Sequence, residues 1–249
     1  MPPTPTPVES IADVRAFFDR FAPHNTEQHG ASDALLNYRV RLLKHFGDIN
    51  SAHTVLDLGC GDGNHLRMLA PDIREGIGVD VSPAMVGAAR RAARTQPYGD
   101  RLSFQVDDAC QLATLPSNSV DRAICVGALE HMLNPAQVLK NAHRVLRPGG
   151  RFVALTLHGG YAWYRWIAPL LRIPTRHLET DCRLTAREGR CHLENAGFTA
   201  IRVAPWTFVP AGDMPWGWAP VWRVLDRLGA WVGIWMLRGG LVLSGRAQN

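Results

Sequence analysis

Val55-Leu56-Asp57-Leu58-Gly59-Cys60-Gly61-Asp62-Gly63 is the stretch from which the rest of the chain can be read. Its first four residues predict a buried parallel strand, and Asn64-His65-Leu66-Arg67-Met68-Leu69 predicts the opening of a helix. The glycines between them let the backbone approach a ligand closely, so strand, turn and helix form a cradle for a nucleotide-like molecule. A dinucleotide-binding turn spaces its glycines Gly-x-Gly-x-x-Gly, sized for a pyrophosphate. Here Gly63 comes one residue early and the acidic Asp57 stands two before Gly59, which counts against a nicotinamide dehydrogenase.

The chain beyond this turn keeps the alternation of strand and helix. Ile77-Gly78-Val79-Asp80 predicts a second strand ending in an acid, 23 residues after Asp57. A carboxylate there can accept two hydrogen bonds from a ribose diol. Val81-Ser82-Pro83-Ala84-Met85 opens a helix with Ser82 as N-cap and Pro83 at its first position. Leu102 to Val106 predicts a third strand running into Asp107-Asp108-Ala109, and Ser119 to Val126 a fourth. Asn134-Pro135 caps a helix to Leu146, and Arg147 to Arg151 reads as a tight turn into a fifth strand, Phe152 to Leu157. Thr185 to Glu188 is a capping box, Phe198 to Phe208 a sixth strand, and Gly240 to Gly245 a closing strand.

Over residues 50–158 this linked set resembles the class I S-adenosylmethionine (SAM)-dependent methyltransferases. The resemblance implies an α/β fold: a doubly wound, seven-stranded Rossmann-like sheet, mostly parallel with an antiparallel last strand. It also implies SAM as cofactor. Gly59, Cys60, Gly61 and Gly63, with Asp57, are then expected at its methionine part and Asp80 at its ribose. Asp108-Ala109 matches the Asp-Ala pair that meets the adenine amino group, with Asp107 competing. Val81 and Met85 either sandwich the adenine or are ordinary core, and Val126 completes the expected cofactor set. Glu130-His131 is similar to the family's frequent Glu-His pair. His131 and His158, both after strand ends, are the candidate catalytic bases; for His131 a buried structural hydrogen bond is the alternative.

Composition separates two jobs. Residues 1–160 hold 16 basic and 16 acidic side chains and residues 161–249 hold 11 and 6, so the net +5 arises entirely in the second part. All eight tryptophans lie there too. Such an aromatic half suits an apolar or aromatic small-molecule acceptor. Leu112 to Pro116 with Leu129 to His131 look most like the ubiquinone and menaquinone C-methyltransferase subgroup. No nucleic-acid partner is expected. Lys/Arg runs are absent, and Val126-Gly127-Ala128-Leu129 stands where base-methylating enzymes often carry an Asn/Asp-Pro-Pro-aromatic segment. A nucleic-acid or protein methyltransferase, or a non-catalytic SAM-binding protein, are the alternatives.

The organisation expected is a disordered Pro-rich tail over residues 1–9, a helical lid over 10–50, a SAM-binding core over 51–158, and a completion of the sheet with acceptor-binding insertions over 159–249. Pro23 to Ser32 breaks the lid into two helices, and Pro169 and Pro174 break the apolar insert at 159–181. Residues 218–237 predict one amphipathic helix with Trp218, Trp222, Leu225, Val232 and Trp235 near one face. It either covers the sheet edge and substrate cavity or makes peripheral membrane contact, since Trp and Arg suit an interface. Its longest uncharged run, Leu228 to Leu237, is far short of the ~20 residues of a span. Five cysteines without Cys-x-x-Cys spacing, no leader-like apolar run and no histidine set predict a cytoplasmic protein without disulfides or metal.

Overall fold

A computed structural model describes residues 5–22, 33–209 and 217–248 of the chain. Helix α1 (Ile11–Phe21) begins where the Ser10 N–H donates to Asp13 Oδ2 at 2.8 Å, one half of a capping box. Helix α2 (Asp33–Gly47) leads to the central strand β1 (Thr54–Leu58), followed by α3 (Asn64–Leu69). Then come β2 (Glu75–Asp80), α4 (Pro83–Ala93), β3 (Leu102–Val106), β4 (Val120–Val126) and α5 (Pro135–Val145). Strand β5 (Leu146–Leu157), helix α6 (Ala186–Asn195), β6 (Phe198–Trp206), α7 (Trp218–Val232) and β7 (Gly240–Ala247) complete the order.

The sheet runs β3-β2-β1-β4-β5-β7-β6. Its five leading strands pair in parallel, and β7 is antiparallel to both β5 and β6. All of β1 is buried, as a strand covered on both faces requires. Alternation sends Leu56 and Leu58 into one core beneath α5 and α6, and Val55 into the other beneath α2, α3 and α4. A third cluster, built on Tyr161, Trp163 and Trp222, joins the insert after β5 to α7. Order reverses between β1 and β4, the place where open α/β sheets bind ligands.

Several expectations are corrected. Arg147 to Arg151 is not a turn before a strand. β5 already pairs Leu146 with Val120, bulges outward, and resumes with Arg151 opposite Arg122. Pro169 does not break the insert: a π-turn, Trp163–Ile167, runs directly into Ala168–Leu170, where proline in a first turn needs no N–H partner. The long C-terminal helix stops at Val232, because Gly233 takes φ +73° and its N–H caps Gly229; a 3₁₀ turn, Trp235–Leu237, follows. Val232 and Trp235 are exposed, and the inward face is Trp222, Leu225, Asp226 and Gly229. Strand β6 ends at Trp206 rather than Phe208. In the expected tail, the Thr6 N–H donates to His177 O at 2.9 Å and Thr6 O accepts from Glu179 N at 3.0 Å, a parallel bridge. The breaker at 23–32, with His24 and His29, lies outside the described residues, as does Trp216.

Asp226 is fully buried, and its Oδ1 accepts from Arg238 Nε at 3.2 Å, while Arg238 also donates to Thr207 Oγ1 at 2.9 Å. This pair fastens α7 to the segment entering β7. Truncation of one partner leaves the other charge buried alone. Asp226→Ala is expected to lower the unfolding free energy by about 3–5 kcal/mol in chemical denaturation, and Asp226→Asn by less.

Candidate active site

The turn after β1 is fixed by backbone donors. Gly59 N and Cys60 N both donate to Val79 O, at 2.9 and 3.0 Å, and Gly61 N donates to Asp80 Oδ2 at 2.9 Å. Gly59 has φ +71°, and a side chain there would meet Ala128 Cβ at 2.5 Å, so the turn accepts only glycine. Gly63, with φ +77°, starts α3, and its missing side chain makes room for the Phe104 ring. It is a packing glycine and does not line the cavity, contrary to its expected cofactor contact.

The C-terminal edge of the parallel strands opens into one cavity of about 890 Å³. That lies in the upper part of the roughly 300–1,000 Å³ range of small-molecule pockets and leaves room for two ligands. Gly59, Cys60 and Gly61 after β1, and Asp80, Val81 and Met85 at and after β2, line it. Asp108 and Ala109 after β3 and Val126 ending β4 line it too. Asp107 also faces the cavity, but its Oδ2 accepts from both Thr114 N and Thr114 Oγ1, while Asp108 Oδ1 accepts from Cys110 N.

Asp80 Oδ2 accepts from Gly61 N and its Oδ1 from Ser82 N, both at 2.9 Å. Each oxygen keeps a further lone pair. Burial raises the Asp80 pKa, the two N–H donors pull it back, and the negative charges of Asp19 and Asp62 add to the rise. Asp57 lies beneath the turn, away from the cavity wall, and neither of its carboxylate oxygens has a hydrogen-bond partner among the described residues. Burial, then the charges of Asp80 and Asp62, push its pKa up to about 8. Asp57 thus stands behind the cavity wall and not at the cofactor contact expected of it.

The elements after β4, β5 and β6 build the other side. His131, in the 3₁₀ turn Leu129–His131, lines the cavity with Nδ1 2.7 Å from Asp181 Oδ1. Asp181 Oδ2 also accepts from His177 N and Leu178 N, at 2.8 and 3.1 Å, so the carboxylate is held from three sides. Burial depresses the His131 pKa, but the Asp181 hydrogen bond and charge outweigh it and leave it raised above the ordinary 6.5. An ionised carboxylate only accepts, so Nδ1 carries the hydrogen and Nε2 keeps its lone pair. Phe18 of α1 stacks edge-on at 5.6 Å from His131. Glu130 Oε2 accepts from Thr156 Oγ1 at 2.7 Å on the same wall. Buried Arg39 of α2 lies 5.7 Å over both the Trp206 and Phe208 rings, and its Nε has no partner among the described residues.

His158 is not brought to the cavity. Its N–H donates to Gly239 O at 2.9 Å and its Nδ1 lies 3.1 Å from Arg238 O, which turns it toward β7. Burial lowers its pKa, and it packs as a structural imidazole. Arg39 and Asp181 are site residues that the sequence did not single out. Arg39's signal was a lone cation on an otherwise apolar helix face. Asp181 had none, because it pairs with His131 across 50 residues. Helix α1 closes over the cofactor side: Arg15 Nε donates to Val81 O at 3.1 Å, and Asp19 Oδ1 accepts from Ser82 Oγ and Ala84 N.

Known proteins share this plan. Residues 56–154 match the methyltransferase domain family. An uncharacterized methyltransferase of Synechocystis sp. is 31% identical over 157 residues, covering 62% of this chain and 70% of that protein. The demethylmenaquinone methyltransferase of Symbiobacterium thermophilum is 30% identical over 160 residues. This chain spans only 61% of that relative's length. In the solved Haloferax volcanii complex between the Trm112 methyltransferase activator and a methyltransferase, one chain superposes with a TM-score of 0.71 at 25% identity, covering 93% of this chain and 98% of that one. The chain belongs to the class I SAM-dependent methyltransferases.

The residues present fit that cofactor. SAM carries a sulfonium, an ammonium and a carboxylate. The first two suit the acidic surroundings set by Asp62 and Asp80, and the carboxylate suits the guanidinium of Arg39, whose Nε has no partner among the described residues. Asp80 offers its free lone pairs to a diol.

Two measurements test this. Asp80→Ala is expected to weaken SAM binding in calorimetry by about 100-fold or more, the value of two hydrogen bonds to a charged group; unchanged affinity would place the ribose elsewhere. In Asp57→Asn the buried acid no longer titrates. The folded wild-type protein holds the Asp57 proton up to about pH 8 while the unfolded chain releases it near 3.8, so the wild type loses stability across that window as pH rises. The melting-temperature gain of Asp57→Asn over wild type is therefore expected to grow from pH 4 to pH 8.

Proposed function

We propose that the chain transfers a methyl group from SAM to an apolar or aromatic small-molecule acceptor, of which quinone precursors, other lipid-like molecules and natural-product intermediates are the leading class. The observation that carries this reading is one cavity in which the glycine turn and Asp80 adjoin the His131–Asp181 pair and a wall of Phe18, Trp206 and Phe208. The demethylmenaquinone methyltransferase relative supports a quinone-like acceptor.

When bound, SAM supplies a methyl group on a sulfonium, a leaving group good enough that alignment and exclusion of water carry much of the rate. Gly59, Cys60 and Gly61 receive the methionine part, Asp80 the ribose, Asp108-Ala109 the adenine edge, and Arg39 the carboxylate. Met85 and Val81 flank the adenine. Helices α1 and α2 act as a lid, with Ile11, Val14, Phe18 and Leu35 as its apolar underside. His131 Nε2 accepts the proton of an acceptor hydroxyl or acidic carbon, and Asp181 holds the imidazole in that tautomer and stabilises the imidazolium that forms.

The test is transfer of labelled methyl from SAM to demethylated quinones and phenols by the wild type and by Asp181→Asn. His131 works unprotonated, so its raised pKa sets an acidic limb above about pH 6.5. Loss of the Asp181 charge removes the main raising influence and leaves burial, the largest of the others, to pull that limb to lower pH. Asp181→Asn is expected to lower kcat by about 100-fold, with SAM affinity unchanged and the limb moved down. Unchanged kcat and pH profile in both Asp181→Asn and His131→Gln would remove the base from the mechanism.

A further inference from the structure

Helix α7 divides its surface three ways. Trp222, Leu225, Asp226 and Gly229 face inward, and Arg223 and Arg227 line the cavity. The third face is an apolar ridge in solvent: Val221, Val224, Leu228, Trp231 and Val232, with Trp231 86% and Val221 57% exposed. Trp163 of the insert packs against Trp218 and Trp222, so the insert lies beside α7. It adds Trp166, Leu170 (79% exposed) and Leu171 to the uncovered apolar surface. Trp235 and Met236 extend it past the end of α7. Single exposed apolar residues are ordinary, but a contiguous ridge of large ones costs free energy in water unless something covers it.

The charge around the ridge has one sign. Arg165 and Arg172 flank Trp166, Leu170 and Leu171, and Arg223 and Arg227 flank the ridge of α7, all of them exposed. Across the described residues 159–182 and 217–238 the acids are Glu179, Asp181 and Asp226. Asp181 and Asp226 are buried in ion pairs, which leaves Glu179 as the exposed one. No helix among the described residues is long and apolar enough to cross a membrane. Exposed tryptophans and aliphatics bordered by arginines are the chemistry of a helix lying in the headgroup region of an anionic bilayer.

We infer that this face docks the protein on an anionic phospholipid surface, with the Arg223–Arg227 flank of α7 placing the cavity mouth at the bilayer. Docking is independent of the methyl-transfer reading; delivery of an apolar acceptor from the bilayer rests on it.

The experiment is co-sedimentation of the full chain at low salt with vesicles of phosphatidylcholine mixed with phosphatidylglycerol, beside vesicles of phosphatidylcholine alone. The wild type is expected to sediment with the mixed vesicles and much less with the neutral ones. Trp231→Glu and Leu228→Glu are each expected to weaken binding about tenfold, the factor for burying one large apolar side chain. Arg172→Gln is expected to weaken it about fivefold, the factor for one cation at an anionic surface. SAM calorimetry and thermal melting of the same variants, expected unchanged, separate loss of docking from loss of the cofactor site or the fold. Absence of sedimentation with mixed vesicles, equal sedimentation with neutral ones, or undiminished binding by the glutamate variants would each overturn the inference. A solution dimer that Trp231→Glu turns into monomers would assign the face to a second copy of the chain instead.

Discussion

One half-buried carboxylate organises the glycine-turn side of the cavity. Asp80 ends β2 and accepts one N–H from the glycine turn and one from the start of α4, both at 2.9 Å. Two segments that succeed different strands are thereby held at a fixed separation. Ser82, whose N–H is one of these donors, also caps α4 through its hydroxyl, which accepts from Met85 N at 3.1 Å. The same hydroxyl donates to Asp19 of α1. The chain of contacts Gly61–Asp80–Ser82–Asp19 thus runs from the floor of the cavity to its cover. The helix that covers the cavity is thereby registered directly to a carboxylate of its floor, and carboxylate-to-amide bonds suit this because they are short and directional.

The charge distribution arises from the same arrangement. Burial raises the proton affinity of Asp57 and of Asp80; the charges of Asp80 and Asp62 add to the rise at Asp57, and those of Asp19 and Asp62 to the rise at Asp80. Across the cavity Arg39 is buried over two aromatic rings, and its Nε has no partner among the described residues. Each of these groups costs free energy where it stands. A ligand that carries two positive groups and one negative group relieves both at once, whereas a phosphate-bearing dinucleotide would place more negative charge among acids. The discrimination that the glycine spacing announced in the sequence therefore has an electrostatic counterpart.

Legibility from sequence tracks the range of the interactions. β1, its glycine turn, the Ser82–Pro83 helix start and the Thr185–Glu188 capping box depend on residues within a few positions of one another, and the structure forms each of them. The bulge in β5 depends on which residue of β4 lies opposite, so the tetrad Arg147-Pro148-Gly149-Gly150 read as a turn. His158 stands at a strand end like a catalytic residue, yet the carbonyls of Arg238 and Gly239, some 80 positions later, draw it away from the cavity. Asp181 lies in an insert with no periodicity, and only the three donors that converge on it make it recognisable.

Helix α7 shows why an amphipathic pattern alone could not be resolved. The sequence pattern places Trp218, Trp222, Leu225, Val232 and Trp235 near one face, whereas the fifteen residues of the helix serve three environments. A two-state hydrophobic pattern has one boundary to detect; a helix with a buried face, an outward apolar ridge and a cationic flank has two apolar sectors that merge in projection. The residue that marks the inward sector is Asp226, which is fully buried against Arg238. Once that ion pair fixes the rotation of the helix, Trp222 must turn inward and Trp231 outward. The arginines then fall between the ridge and the cavity, so the position of the cavity mouth relative to the exposed apolar surface is set by one buried charge pair.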